Sequence, residues 1–135
     1  MSEFVGLTPT MEVKLHNPFA GKKYPNEGYI TAIIDTGYDR FVVVPRGVFD
    51  ALSHAEAKTE KERLIMANGY SVETEGAYGS FTAQGNSLEA QGLIETFEGA
   101  DQVLLGVEAL RRTRTLLDYC RGTLSIDPCT RPSPR

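Results

Sequence analysis

Tryptophan is absent from this sequence, and cysteine and histidine occur only twice each among its 135 residues. His16 and His54 stand alone, outside any Cys/His cluster, so no metal-ligand spacing is present. Both histidines read as surface residues, and neither a metal nor a cofactor is expected. Cys120 and Cys129 read as free thiols. A disulfide between them is the less favoured alternative, because Cys129 falls on a proline-rich tail. No apolar run is long enough to cross a bilayer, and Met1-Ser2-Glu3-Phe4 lacks the basic and apolar regions of a secretory signal. The expected location is the cytoplasm. A glycine-rich phosphate fingerprint is missing too. The formal charge of −4 gives no electrostatic reason for a nucleic-acid or anionic-membrane partner. The short basic cluster Arg111, Arg112 and Arg114 is expected at a helix end, where it complements the macrodipole.

What the chain does contain is strand signal. The length suits one compact domain, expected over residues 1–127, followed by a flexible tail over 128–135 with three prolines. Residues 11–16 alternate apolar and polar, as a half-buried strand does. Residues 17–28 read as a loop, and 29–34 as a β-branched strand buried on both faces. Phe41-Val42-Val43-Val44 is a second apolar run, closed by Pro45. Residues 46–63 turn to alanine, glutamate and lysine, with Val48, Leu52 and Ala55 at helical spacing, which predicts a helix. Leu64-Ile65-Met66-Ala67 returns to strand, and Asn68-Gly69 is a hairpin signal. Residues 70–83 and 87–97 read as strands around a turn at 84–86. Val103-Leu104-Leu105-Gly106 predicts a short buried strand, 107–112 a short helix, and 115–120 with 123–127 a last hairpin.

Three segments carry chemical interest. A carboxylate at the end of a buried β-branched strand, as in Ala32-Ile33-Ile34-Asp35-Thr36-Gly37, is unusual, because burying a charge is costly unless it is paired or neutralised. Gly37 permits a tight backbone path and Thr36 offers a hydroxyl to fix the loop. Leu104-Leu105-Gly106 opens the short helix, and Leu116-Leu117-Asp118-Tyr119 precedes the last turn. Taken singly, each has an ordinary explanation: a turn tripeptide, a core strand, a hydrogen-bonding residue at a strand end.

In this order, the three segments resemble the retropepsin-like aspartic peptidases, most closely the small single-domain prokaryotic forms. Ile33-Ile34-Asp35-Thr36-Gly37 is similar to the family's first motif and Leu104-Leu105-Gly106 to its second, with Asn68-Gly69 where a flap tip would lie. The resemblance covers residues 11–127. It implies a mainly β half-barrel with one or two short helices, closed by homodimerisation. It also implies that the second Asp35 of a proton-sharing pair comes from an identical chain. By the same resemblance, Asp35, Thr36 and Gly37 form the catalytic loop, Thr36 bonds across the dimer, and Leu104, Leu105 and Gly106 support the loop from beneath. Met66, Ala67, Asn68, Gly69 and Tyr70 would form a flap over an extended peptide. Tyr38 stands where viral members usually carry alanine or serine, and it either lines a substrate pocket, partly blocks one, or packs at the dimer floor.

The implied activity is that of an aspartic endopeptidase acting on peptides or unfolded segments. A second reading keeps the same fold as a non-catalytic dimerising or peptide-binding module, with Asp35 structural. A third, a monomeric all-β ligand-binding domain, would show itself by a monomeric mass in solution.

Overall fold

Alternation along the strands closes the chain into a barrel. The computed structural model describes residues 2–52, 59–85 and 88–129. The strands are β1 Ser2–Val5, β2 Thr8–Asn17, β3 Lys22–Tyr24, β4 Ile30–Ile34, β5 Val42–Val43, β6 Glu60–Ile65, β7 Ser71–Ala83, β8 Glu89–Thr96, β9 Leu104–Leu105, β10 Thr113–Asp118 and β11 Thr123–Pro128. Helix α1 spans Arg46–Ala51 and α2 Val107–Leu110. The path β2-β4-β9-β5-β8-β7 returns to β2, because β7 also pairs with β2. Strand β1 extends the sheet beyond β2, β6 extends it beyond β7, β3 pairs with β2, and β10–β11 form a separate hairpin.

Inside the barrel Met11, Val13 and Leu15 face inward from β2 at the two-residue period and meet Ile34, Val42, Phe81, Ile94 and Leu105. The rings of Phe41 and Phe81 pack with centroids 5.7 Å apart. A Cβ at Gly92 would lie 2.6 Å from the Phe41 ring, so the missing side chain there is what lets that ring lie across the strand. Helix α1 closes one end with Phe49 fully buried, as is Leu52, the residue that caps its C-terminus. Its last turn is tied to β2 by the buried Asn17, whose Nδ2 donates to the Leu52 carbonyl at 2.7 Å.

The prediction of a helix over 46–63 is corrected by α1, which ends at Ala51, and by β6, which begins at Glu60. Residues 53–58, with His54 and Ala55, lie outside the described residues. The alanine and glutamate content of this stretch expresses a weak local preference, and cross-strand pairing overrides it. Lys61 stands opposite Glu75, and Arg63 opposite Glu73. Two further strands fall where none is expected: β1, and β3 within the predicted loop 17–28. Strand β11 runs through Pro128, and the Cys129 N–H donates to the Arg112 carbonyl at 3.1 Å. The rest of the predicted tail, 130–135, is outside the described residues, as are Asn86 and Ser87. Cys120 lies beyond one end of the β10–β11 hairpin and Cys129 beyond the other, and both are free and exposed. Arg111 caps α2 and Arg114 is on β10, so the basic cluster is split between a helix end and a strand. No helix among the described residues is long and apolar enough to cross a membrane.

Candidate active site

Strand β4 ends at Ile34, and the next residue is Asp35. Ala32 and Ile34 point into the core, and the chain then leaves the barrel wall. Strand β9 slots in beside this exit, parallel to β4 with Ile34 opposite Leu105, and antiparallel to β5 with Val42 opposite Leu105. The loop 35–41 therefore leaves from one side of β9 and returns on its other side. The Asp35 N–H donates to the Leu105 carbonyl at 2.9 Å and the Gly106 N–H to the Phe41 carbonyl at 2.8 Å, fastening both ends.

Within the loop, the Asp35 carbonyl accepts from the Tyr38 N–H at 3.1 Å, which makes a tight turn. Asp35 Oδ1 accepts from the Gly37 N–H at 2.9 Å. A side chain at Gly37 would crowd that oxygen, since a Cβ there would lie 3.2 Å from it. The carboxylate is thus aimed by its own turn. It is half-buried, with Thr36 and Gly37 exposed beside it, so this face of the loop is open to another molecule.

Gly106 presses on the loop from below. A Cβ at this position would sit 2.1 Å from the Arg40 carbonyl oxygen and 2.6 Å from that of Tyr38. These same carbonyls accept from the first N–H groups of α2: Tyr38 from Val107 at 2.8 Å and Arg40 from Glu108 at 3.1 Å. Only glycine allows this approach, and the helix start thereby gains the partners its orphan N–H groups need.

Two comparisons bear on what this arrangement is. An uncharacterized protein of Archaeoglobus fulgidus is 35% identical over 126 residues, covering 93% of this chain and 98% of that protein. The chain belongs to that protein's family. No family model matches the sequence. Among solved structures, EIAV protease complexed with the inhibitor HBY-793 matches with a TM-score of 0.52 at 18% identity, covering 77% of this chain and 86% of that one. The fold is therefore mainly β and retropepsin-like.

On this retropepsin-like frame, the expected loop Asp35-Thr36-Gly37 and the expected support Leu104-Leu105-Gly106 are brought together by the pairing of β4, β9 and β5. Met66, Ala67, Asn68, Gly69 and Tyr70 form the tip of the β6–β7 hairpin. The Met66 N–H donates to the Tyr70 carbonyl at 2.7 Å, the Gly69 N–H to the Met66 carbonyl at 2.9 Å, and the Tyr70 N–H to Asn68 Oδ1 at 3.0 Å. Gly69 takes a φ of +89°, which a side chain would resist. Ile65 and Tyr70 flank the tip with their side chains exposed.

Tyr38, expected at a substrate pocket or at the dimer floor, has its side chain buried within the chain's own domain, where its hydroxyl donates to Glu95 Oε1 at 2.5 Å. Burial, and then the neighbouring Glu95 carboxylate, push the Tyr38 phenol far above its ordinary range. Arg40 Nε donates to the same oxygen at 2.9 Å, and Thr74 Oγ1 to Glu95 Oε2 at 2.7 Å. Sequence reasoning missed Glu95, Arg40 and Thr74. The available signal was a charged residue between Ile94 and Thr96 in a β-rich stretch, and the whole Ile94-Glu95-Thr96 run is buried. Open clefts lined by Gln91, Glu108 and Arg112, by Lys61, Glu75 and Phe97, and by Ile33, Pro45 and Gln102 do not include Asp35. Among the described residues, no group of three or more His, Cys, Asp and Glu is gathered as a metal site would require.

Proposed function

We propose that the protein is a homodimeric aspartic endopeptidase that hydrolyses peptide bonds in extended peptides or unfolded segments. The observation that carries this reading is the Asp35 carboxylate, aimed by the Gly37 N–H and half-open to solvent at the end of β4, on a retropepsin-like frame. One Asp-Thr-Gly per chain supplies one carboxylate, so a second copy of the chain brings the other. Two carboxylates at close range cannot both ionise and come to share a proton. The ionised one takes a proton from water as the water oxygen bonds to the scissile carbonyl carbon. The protonated one gives its proton to the carbonyl oxygen. Collapse of the resulting diol breaks the C–N bond, and the amide nitrogen leaves with a proton.

Surface character supports the pairing. Val5, Leu116 and Tyr119 are exposed on β1 and around the β10–β11 hairpin, where Phe4 and Tyr119 also meet edge to face at 5.0 Å. Such apolar side chains are what a second copy would cover. The exposed Ile65 and Tyr70 offer a peptide side chains to lie against beneath the hairpin tip.

The test is cleavage of an unfolded protein from about pH 3 to 7, the range for a proton-sharing dyad, with products read by mass spectrometry. Wild type and Asp35→Asn are compared after both are shown to be dimers. Cleavage by wild type and its loss in Asp35→Asn is the expected result. A dimeric wild type that cleaves nothing turns the reading to the peptide-binding module. Equal cleavage by both removes Asp35 from the chemistry.

A further inference from the structure

Glu95 is fully buried, and its donors come from two places that matter to the site. Tyr38 and Arg40 belong to the loop that begins at Asp35, and Tyr38 is bonded back to Asp35 through its own N–H. Thr74 belongs to β7, in the hairpin whose tip is residues 66–70. Thr74 Oγ1 also lies 3.4 Å from the Glu62 carbonyl oxygen across the hairpin. Arg40 adds a second tie, Nη1 to the Arg63 carbonyl on β6 at 3.3 Å, while its buried Nη2 has no hydrogen-bond partner. The same guanidinium thus holds Glu95 at 2.9 Å and β6 at the longer 3.3 Å, with both N–H groups of Nη2 left over.

Stability alone gives a poor account of this cluster. A buried ion pair contributes little net stability compared with apolar side chains of the same volume, because desolvation offsets the attraction. What a buried carboxylate with directional donors does supply is a fixed geometry. The geometry fixed here is that of the Asp35 loop relative to the hairpin root.

We propose that Glu95 is a positioning residue that joins the loop 35–41 to the root of the β6–β7 hairpin, so that the aim of Asp35 and the stance of the hairpin are set together. This rests on the proteolytic reading of Asp35. Glu95 touches neither substrate nor water in this scheme. It acts through Tyr38, Arg40 and Thr74.

The test uses the full chain with two conservative cuts to the link. Tyr38→Phe removes one hydroxyl and keeps the ring beside Gly106. Thr74→Val removes the other hydroxyl at nearly constant volume. Thr74→Ser, which keeps a hydroxyl, serves as the rescue. Peptide cleavage is measured as kcat and KM, and amide hydrogen exchange is followed over 35–41 and 60–76. Misplacement of a catalytic group by about 1 Å costs on the order of 100-fold, so Tyr38→Phe is expected to lower kcat by at least about 10-fold with KM little changed. Thr74→Val is expected to do the same and Thr74→Ser to restore wild-type kcat. The double variant should lose no more than the worse single one, since both cut one link. Exchange should quicken in the hairpin of Tyr38→Phe and in the loop of Thr74→Val. Unchanged kcat in folded Tyr38→Phe, additive losses, or exchange that quickens only around each substituted residue overturns the proposal. If wild type cleaves nothing, the proteolytic reading fails by itself. The reciprocal exchange then still decides the link: its presence upholds the joined geometry and its absence removes it.

Discussion

Replacing Gly106 by alanine puts a methyl group where the chain has no room for one. The added carbon would lie 2.1 Å from the Arg40 carbonyl oxygen, 2.5 Å from Tyr38 Cδ2 and 2.6 Å from the Tyr38 carbonyl oxygen, whereas ordinary contact begins at 3.4 Å. Two of these three neighbours are backbone, so no rotamer change relieves the clash. Either β9 or the loop 35–41 must move by on the order of 1 Å, a strain that costs roughly 1–3 kcal/mol. The same movement pulls apart the bonds from Gly106 N–H to Phe41 and from Val107 N–H to Tyr38. At about 1 kcal/mol each, their loss brings the total to roughly 3–5 kcal/mol. With an unfolding entropy of about 2.1 cal/mol/K per residue, the 135 residues give about 0.28 kcal/mol/K. The expected fall in Tm is therefore roughly 11–18 °C. Thermal unfolding by circular dichroism at one fixed protein concentration reads it. Gly47→Ala is the paired control. It lies in α1 with nothing within 4 Å of its would-be Cβ, and alanine there is expected to stabilise by about 0.5–1 kcal/mol. A Gly106→Ala protein that melts within a few degrees of wild type would show that β9 is not clamped by the loop and would refute the reasoning.

Asn17→Ala breaks the bond to the Leu52 carbonyl at the end of α1 and frees the Phe19 N–H, which Asn17 Oδ1 accepts at 3.1 Å. With that carbonyl buried, urea unfolding should report a loss of about 2–3 kcal/mol, and a loss under about 0.5 kcal/mol would mean α1 is held by its apolar face alone. His16 gives a pH dependence. Burial holds its pKa below 6.5, with Lys14 and Lys23 acting in the same direction and Glu89 opposing. The folded state thus favours the neutral ring, and the unfolded chain binds more protons near and below pH 6.5. The stability His16 contributes is complete above that pH and is lost as pH falls through the lowered folded value. His16→Gln should flatten this part of the stability–pH curve relative to wild type in urea titrations, and parallel curves would exclude it.

The strands most legible in the sequence are those whose side chains sort by the barrel wall. The alternation at 11–16 lies within β2, the long stretch 70–83 nearly coincides with β7, and the last hairpin turns about Gly122 at a φ of +64°. The loop at Asp35 and its partner segment 104–106 were linked only through the family resemblance, because a turn tripeptide and a glycine after two leucines are each ordinary when taken alone. What local pattern does not contain is pairing between distant charges. Lys61 and Arg63 suit a helix until Glu75 and Glu73 stand opposite them. Tyr38 likewise reads as a residue of a substrate pocket or of the dimer floor, and nothing local to it points to Glu95, far along the chain, as the partner of its hydroxyl. Both gaps share one cause: the deciding partner lies on another strand.

Strand β9 also has a consequence for how the protein comes into being. Leu105 completes the barrel by entering between β4 and β5, yet it is separated from Ile34 by about 70 residues of chain, a long-range closure that is slow and entropically late. A growing polypeptide emerging from the ribosome carries Asp35 long before it carries the strand that shapes the loop around it. Until then β4 and β5 present bare edges, and the turn at 35–38 has no floor. The shape of the loop at Asp35 therefore depends on a strand that arrives only after most of the protein has been made.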